Sequence, residues 1–192
     1  MYKKYIFPLY VFVVFEKINS KVWSSTLLKP NNYFVYLDKK WFYPINIFFR
    51  NELFLNNSYL TDNFAVDTLK FTKFNDLLNN FFNKHRIVLF YSYYFFNIKV
   101  KLHVVLLLNF FNKEGLTSVD KIYKNANWLE REMSEMSGVN FVFKKDIRKL
   151  LLDYSKNENP LLKDFPVEGF SEIFYDFFED QTIFLDSTVV EL

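Results

Sequence analysis

Cysteine is absent from this chain of 192 residues, and glycine and histidine are scarce, with three and two copies. Without a thiolate there can be no disulfide, no cysteine-ligated zinc or iron–sulfur centre and no cysteine nucleophile. The glycines, Gly115, Gly138 and Gly169, lie too far apart to build a phosphate-cradling loop. His85 and His103 have no spacing of the His-Glu-x-x-His kind, so each reads as an ordinary hydrogen-bonded or solvated strand residue. Arginine is confined to Arg50, Arg86, Arg131 and Arg148, and with a net charge of +2 the clustered basicity of a nucleic-acid binder is missing.

Long apolar runs are also lacking. The longest, YIFPLYVFVVF over residues 5–15, follows Lys3 and Lys4 and has the look of a short signal peptide. It falls short of the roughly 20 residues a bilayer span takes and is broken by Pro8. Its β-branched and aromatic residues favour a buried strand over YVFVVF. No transmembrane helix is expected. A mitochondrial presequence is Arg-rich, whereas no arginine precedes Arg50, so a mitochondrial location implies synthesis inside the organelle.

Aromatic residues are what the chain has in excess: 26 Phe, 13 Tyr and 3 Trp within a 51% hydrophobic composition. Two explanations stand together. AT-rich codons specify Phe, Tyr, Asn, Lys and Ile, and a surplus of rings can also face partners. Each Phe left in water forfeits about 1.5–3 kcal/mol, so drift alone leaves a burial problem.

Charge is segregated along the chain. From Asp164 onward there are eight acids and no Lys or Arg, whereas residues 1–163 hold 24 bases against 14 acids, or +10. This predicts an α+β core domain over 1–163 and an acidic extension over 164–192 that docks along a surface. The fold expected is a two-layer domain, a mixed or antiparallel sheet with two or three helices, followed by an extended acidic C-terminal arm.

Residues 10–74 alternate aromatic runs such as YFVYL and FYPINIFF with polar breaks, which predicts strands and loops. The spacing of Phe74, Leu77, Leu78, Phe81 and Phe82 predicts a short helix over 74–82. Residues 86–108 are too long for one strand and carry Asn97 near the centre, so a hairpin or two neighbouring strands is predicted. There Ile98, Val100 and Leu102 alternate with Lys99, Lys101 and His103, as in a half-solvated strand.

In NANWLEREMSEMSGVNF, Leu129, Met133 and Met136 fall on one helical face while Glu130, Arg131, Glu132 and Glu135 point elsewhere, and Gly138 suits the stop. A second helix is predicted over DIRKLLLDY, with Ile147, Leu150, Leu151 and Tyr154 as its stripe and Asp146 as its cap. Pro160 and Pro166 then break regular structure, and the last segment reads as an edge strand or an extended arm.

The triplet Glu130-Arg131-Glu132 is open to two readings, a solvated helix shoulder or a device that fixes register. Consecutive helical residues diverge by about 100°, so neighbouring carboxylates cannot converge on one substrate. Glu132 and Glu135 can share a face, but no histidine, metal partner or glycine loop accompanies them.

The wider order is more specific: Glu130-Arg131-Glu132-x-x-Glu135-x-x-Gly138-x-x-Phe141, then Asp146-Ile147-Arg148-Lys149-Leu150-Leu151-x-Asp153-Tyr154, then Pro160-x-x-Lys163-Asp164-Phe165-Pro166. It resembles the signature of the 30-kDa subunit family of respiratory complex I, whose members include mitochondrial subunit 9 and its bacterial counterpart. NANWL before it and VEGF after it extend the likeness to residues 125–170. AVD over 65–67 and HRIVLFY over 85–91 are weaker echoes upstream. The chain departs from the pattern where Ser134 and Ser137 replace aromatics, Glu135 replaces Asp, and Lys144-Lys145 replace His-Pro. Further departures, at Ser155, Lys156, Glu158, Asn159 and Leu162, mark a divergent lineage.

The resemblance implies a core structural and assembly subunit of mitochondrial NADH:ubiquinone oxidoreductase, in the quinone-reducing module of the matrix-side peripheral arm at the inner membrane. It implies no active site and no cofactor of its own; FMN, the iron–sulfur clusters and ubiquinone belong to partner subunits. The partners implied are chiefly the 49-kDa and the terminal-cluster (PSST) subunits, with no nucleic acid and no membrane span.

The motif residues implied are Trp128, Glu130, Arg131, Glu132, Glu135, Gly138, Arg148, Asp153, Tyr154, Lys163, Asp164, Phe165 and Pro166. Arg131 would bond a carboxylate or a carbonyl pair, while Glu130 or Glu132 would take donors from across an interface or from within the fold. Trp128 and Phe165 are candidates for interface anchors or simple core. Two other readings remain. An organelle-encoded ribosomal protein that binds RNA calls for stronger positive charge and no acidic tail. A secreted aromatic-rich binding protein calls for a cleaved N-terminus.

Overall fold

The computed structural model describes residues 22–23, 32–52, 55, 57–69, 85–108, 115–154 and 157–186. The strand predicted over YVFVVF and the helix predicted over 74–82 lie outside the described residues.

A five-stranded sheet organises the chain in the order β1-β2-β5-β4-β3. It comprises β1 (Val22–Trp23), β2 (Asn32–Tyr36), β3 (Ser58–Asp67), β4 (Ile87–Phe95) and β5 (Val100–Leu108). The sheet is mixed: β2 runs parallel to β5, and the other neighbours are antiparallel. The predicted division of residues 86–108 is found, with β4 and β5 joined at Phe95↔Val100 in a tight hairpin. The half-solvated alternation is found too, since Val100, Leu102 and Val104 are buried whereas Lys101 is exposed.

Successive strand residues face opposite sides. Leu89, Tyr91 and Tyr93 therefore share one face with their partners Leu106, Val104 and Leu102, and all six are fully buried. Helix α1 (Lys39–Asn51) covers that face with Phe42, Ile45, Asn46 and Phe49, spaced i, i+3, i+4 and i+7. Phe42 packs on Tyr91 at 4.6 Å between ring centroids, and Phe49 meets Tyr93 at 5.5 Å and Phe95 at 5.3 Å.

The FYPINIFF run, read from its composition as strand and loop, is thus helical. Its 3.6-residue spacing was hidden by β-favouring residues and by Pro44, which the helix carries on its exposed side in the second turn.

The opposite face is aromatic and half-open. Phe34 stacks on His103 at 4.6 Å, and Phe64 stacks on Phe90 at 4.9 Å. The His103 Nδ1 and Ser92 Oγ share a hydrogen bond of 2.9 Å. Burial, reinforced by Lys101, holds the imidazole pKa below its ordinary value, so this histidine is a neutral packing residue.

Short strands β6 (Leu116–Thr117) and β7 (Phe141–Val142) pair in parallel, and helix α2 (Ala126–Ser137) connects them. Before α2, Tyr123 shares a 2.8 Å hydrogen bond with Ser58, and the Asn125 amide donates to the Leu60 carbonyl, which fastens this unit to β3.

Two expectations fail beyond this point. Residues 146–154 form an irregular loop instead of a helix, because side chains of α2 capture their backbone groups. Residues 171–186 form neither an extended arm nor an added edge strand: β8 (Ser171–Asp176) and β9 (Gln181–Asp186) pair with each other as an antiparallel hairpin. Its cross-strand partners supply the backbone hydrogen bonds that a lone arm would leave to solvent.

Because Phe49 fills the contact between α1 and β4, where it meets both Tyr93 and Phe95, Phe49→Ala is expected to cost about 3–5 kcal/mol, read as a lowered urea midpoint.

Candidate interface motif around the charged helix

The charged residues of α2 diverge around its axis, and each meets a different environment. Pairing of β6 with β7 brings Ser118 and Val119 from one strand end and Lys144 from the other beneath the helix. The Glu130 carboxylate enters this space, where its side chain is 0% exposed and that of Lys144 is 1% exposed. It accepts from Ser118 Oγ at 2.5 Å, Val119 N–H at 2.9 Å and Lys144 Nζ at 3.2 Å. Lys144 Nζ also donates to Asn127 Oδ1 at 3.2 Å.

Burial pushes the Glu130 carboxyl above its ordinary value, while Ser118, Val119 and Lys144 pull it back down. Phe143, just before the lysine, adopts a left-handed φ of 64°, a costly conformation for an aromatic residue. That turn sends Lys144 inward and leaves the Phe143 ring in solvent.

Arg131 leaves the helix on another side and meets a pair of carbonyls. Its Nε donates to Arg148 O at 2.8 Å and its Nη2 to Lys149 O at 3.2 Å, with Asp146 Oδ2 3.5 Å from Nη1. Trp128, 56% exposed, lies with its ring centroid 5.2 Å from the guanidinium and covers it from outside.

One turn further on, Glu135 accepts the N–H groups of Leu150 at 2.7 Å, Leu151 at 3.0 Å and Leu152. These three backbone donors hold its carboxyl below the ordinary value despite the opposing cost of desolvation. Only Glu132 of the triplet reaches solvent. Of the two readings of the Glu130-Arg131-Glu132 triplet, the solvated shoulder therefore holds for Glu132 alone, and Glu130 and Arg131 are turned into the fold. Arg131 binds the carbonyl pair and Glu130 takes its donors, both from within the fold.

Gly138 ends α2 with a left-handed φ of 69°, and its N–H bonds Ser134 O at 3.0 Å. A Cβ there would also press on the Asn159 amide at 3.1 Å. The returning chain is tied to the same helix end, with Leu161 N–H donating to Met136 O at 2.9 Å.

A second cluster fastens the Lys163-Asp164-Phe165-Pro166 turn to the sheet. Buried Asp67 binds Arg86 through both oxygens, at 2.9 Å to Nη2, and also accepts Lys163 N–H at 2.9 Å. Asp164 reaches the same guanidinium at 2.6 Å. Hydrogen bonds from Arg86 and from backbone N–H groups outweigh burial and lower the Asp67 pKa, while Arg86 lowers that of Asp164. Asp67 and Arg86 were not singled out from the sequence, although both sit in the weak upstream echoes AVD and HRIVLFY. Lys144 and Ser118 were missed too, since nothing in their local sequence marks them as partners of residue 130.

The remaining motif residues stand outside. Arg148 grips Asp146 through two bonds of 2.9 Å, and Tyr154 donates to Lys149 O at 3.2 Å. Asp153 is exposed and accepts from Lys149 Nζ through its carbonyl at 2.9 Å. Phe165 and Pro166 are half-buried, with Phe165 edge-on to Phe170 at 5.2 Å. Among the described residues no group of three or more His, Asp or Glu side chains is placed to hold a metal ion, and no helix is long and apolar enough to cross a membrane. A cleft lies between the end of α1 and the loop before α2. It presents Arg50, Lys121 and Lys124 and contains none of the motif side chains.

Charges turned inward onto backbone, with apolar side chains such as Phe143, Ile147, Leu151, Tyr154 and Phe170 left outside, characterise a protein made to be covered by neighbours. Comparison with known proteins agrees. The family of the respiratory-chain NADH dehydrogenase 30 Kd subunit matches residues 35–171. NADH-ubiquinone oxidoreductase subunit 9 of Paramecium primaurelia is 40% identical over 187 residues, covering 97% of this chain and 87% of that one. The corresponding NADH-ubiquinone oxidoreductase subunit 9 of Paramecium tetraurelia is 38% identical over 189 residues, covering 97% and 87%. A chain of an archaeal respiratory membrane complex, the membrane-bound sulfane sulfur reductase, superposes with a TM-score of 0.62 at 16% identity over 84% of this chain and 86% of that one, a likeness of fold. The chain belongs to the 30 Kd subunit family of respiratory-chain NADH dehydrogenase. The ribosomal reading gains no support from any of these likenesses.

Lys144→Met leaves the Glu130 carboxylate buried without its cation, and is expected to cost about 3–5 kcal/mol by urea unfolding. The Glu130→Gln/Lys144→Met double variant should lose less than the two single losses added together. Glu135→Gln is expected to cost about 1–3 kcal/mol at neutral pH. Because the native Glu135 pKa lies below its unfolded value of 4.5, its contribution is present above that pH and fades as pH falls through the native value. The Glu135→Gln chain should accordingly show a shallower loss of stability in a urea titration as pH falls below about 4.5.

Proposed function

We propose that this chain is a non-catalytic core subunit of mitochondrial NADH:ubiquinone oxidoreductase, whose contribution to electron transfer is to hold its neighbours in place. It lies in the matrix-side peripheral arm at the inner membrane, in the quinone-reducing module, against the 49-kDa and terminal-cluster subunits. FMN, the iron–sulfur clusters and ubiquinone are carried by partner chains. Absence of cysteine supports this for the iron–sulfur clusters, since no thiolate is available to ligate one. The AT-rich composition supports synthesis within the organelle.

One observation carries the reading. Most of the charged motif is consumed inside the fold: the Glu130, Arg131 and Glu135 side chains all bind this chain's own groups, and Glu132 alone of the triplet faces solvent. The motif shapes a loop that presents apolar residues outward, including Ile147, Leu151 and Tyr154. A surface of that kind is stable in water only when a partner covers it. Residues 1–163 serve as the core domain, and residues 164–192, with eight acids and no base, dock on partners. In that division Asp164 is the point of attachment, through Arg86.

Arg131→Ala removes the donors that hold the carbonyls of residues 148 and 149. It is expected to lower both the amount of assembled peripheral arm and its quinone reductase activity several-fold, on native gels stained for NADH dehydrogenase. Glu132→Ala, on the exposed side of the same turn, should shift stability by no more than about 0.5 kcal/mol. Unchanged assembly and activity in the Arg131→Ala chain would refute the positional role of the motif.

A further inference from the structure

The hairpin of β8 and β9 is apolar on both sides. Register places Ile173 opposite Phe184 on one face and Phe174 opposite Ile183 on the other, with Leu185 beside the second pair. Ile173 and Phe184 are exposed, and so are Phe174 and Leu185. A segment lying on one surface needs apolar residues on one face only, with polar residues on the other. An isolated two-stranded hairpin is marginal in water, and among the described residues neither face is covered by the sheet or helices of its own chain.

The tip is fixed as well as apolar. Phe178 N–H donates to Asp176 Oδ1 at 2.8 Å, Tyr175 OH bonds Asp180, and Phe177 packs edge-on to Tyr175 at 5.0 Å. This local network projects two rings into solvent, Phe177 at 86% and Phe178 at 101% exposure, with Asp176, Glu179 and Asp180 around them.

We infer that residues 171–186 are a tongue that enters a cleft of a partner protein. The cleft walls are apolar, its floor accepts the Phe177 and Phe178 rings, and its mouth carries lysine or arginine to meet the three tip carboxylates. This deepens the assembly reading above and rests on it. Charge selects the occupant. A tongue bearing carboxylates and no base is repelled by anionic lipid headgroups and by the same hairpin of a second copy, whereas a basic-rimmed protein cleft attracts it. Two fixed rings at the end of a narrow element match the way buried aromatic anchors dominate interface energetics.

The test uses the full chain within the assembled respiratory complex. A photo-crosslinking residue is placed at position 173 or, separately, at position 185, on opposite faces of the hairpin. Both positions are expected to link to protein chains of the complex. The F177S/F178S chain is expected to be retained in the complex at a level about tenfold lower, the change that loss of about 1.4 kcal/mol of contact produces. Its two substitutions lie outside the sheet core, and the crosslinks of the unmutated tip provide a reading independent of that variant's folding.

Links from one face only, links to lipid, or undiminished retention of F177S/F178S would overturn the tongue while leaving membership of the complex intact. A full-length chain that never co-migrates with NADH dehydrogenase activity would overturn both.

Discussion

The C-terminal third of the molecule depends on the capture of loop backbone by two side chains of α2. Glu135 takes three consecutive N–H groups at residues 150–152, and Arg131 takes two consecutive carbonyls at 148 and 149. Backbone groups near an interior must find partners, and regular secondary structure is only the commonest way to provide them. Here ionised side chains replace a helix's own ladder, through charge-assisted bonds stronger than neutral ones. The loop is free to direct its side chains outward, and the chain returns to the end of α2 before crossing to Asp67 and Arg86.

Much of this was readable from local pattern, and the limits have physical reasons. The β4–β5 hairpin followed from a run too long for one strand, and the left-handed stop at Gly138 followed from its place after the last apolar position. The divergence of Glu130, Arg131 and Glu132 was readable too, since it depends only on helix geometry. Their destinations were not, because Ser118, Val119 and Lys144 meet Glu130 only once β6 and β7 have paired. Helix α1 was concealed because the Phe-rich composition favours strands while the spacing of Phe42, Ile45 and Phe49 is helical. The reverse error fell on DIRKLLLDY, whose helical spacing was overridden by contacts from α2. In both segments tertiary packing decided against local preference.

For a member of the 30 Kd subunit family, the arrangement separates two kinds of motif residue. Glu130, Arg131, Glu135 and Gly138 lie buried or half-buried against this chain's own groups. Trp128, Arg148, Asp153, Tyr154 and Lys163 lie on its surface above them. The inner set determines the shape that the outer set displays. Glu135 and the buried Lys144 both support that shape. Each is fully engaged here, one on backbone N–H groups and the other on Glu130 and Asn127.

The clip at Asp67 spans a long stretch of chain, for the Lys163 N–H it accepts lies 96 residues further on. Ordering so distant a pair is among the later events of folding, since loop closure must precede any return from the contact. Until residues 163 and 164 have been synthesised, the Asp67–Arg86 pair lacks the N–H and the carboxylate that complete the cluster, and the turn at residues 163–166 cannot seat. A nascent or truncated polypeptide therefore leaves this long-range contact unclosed.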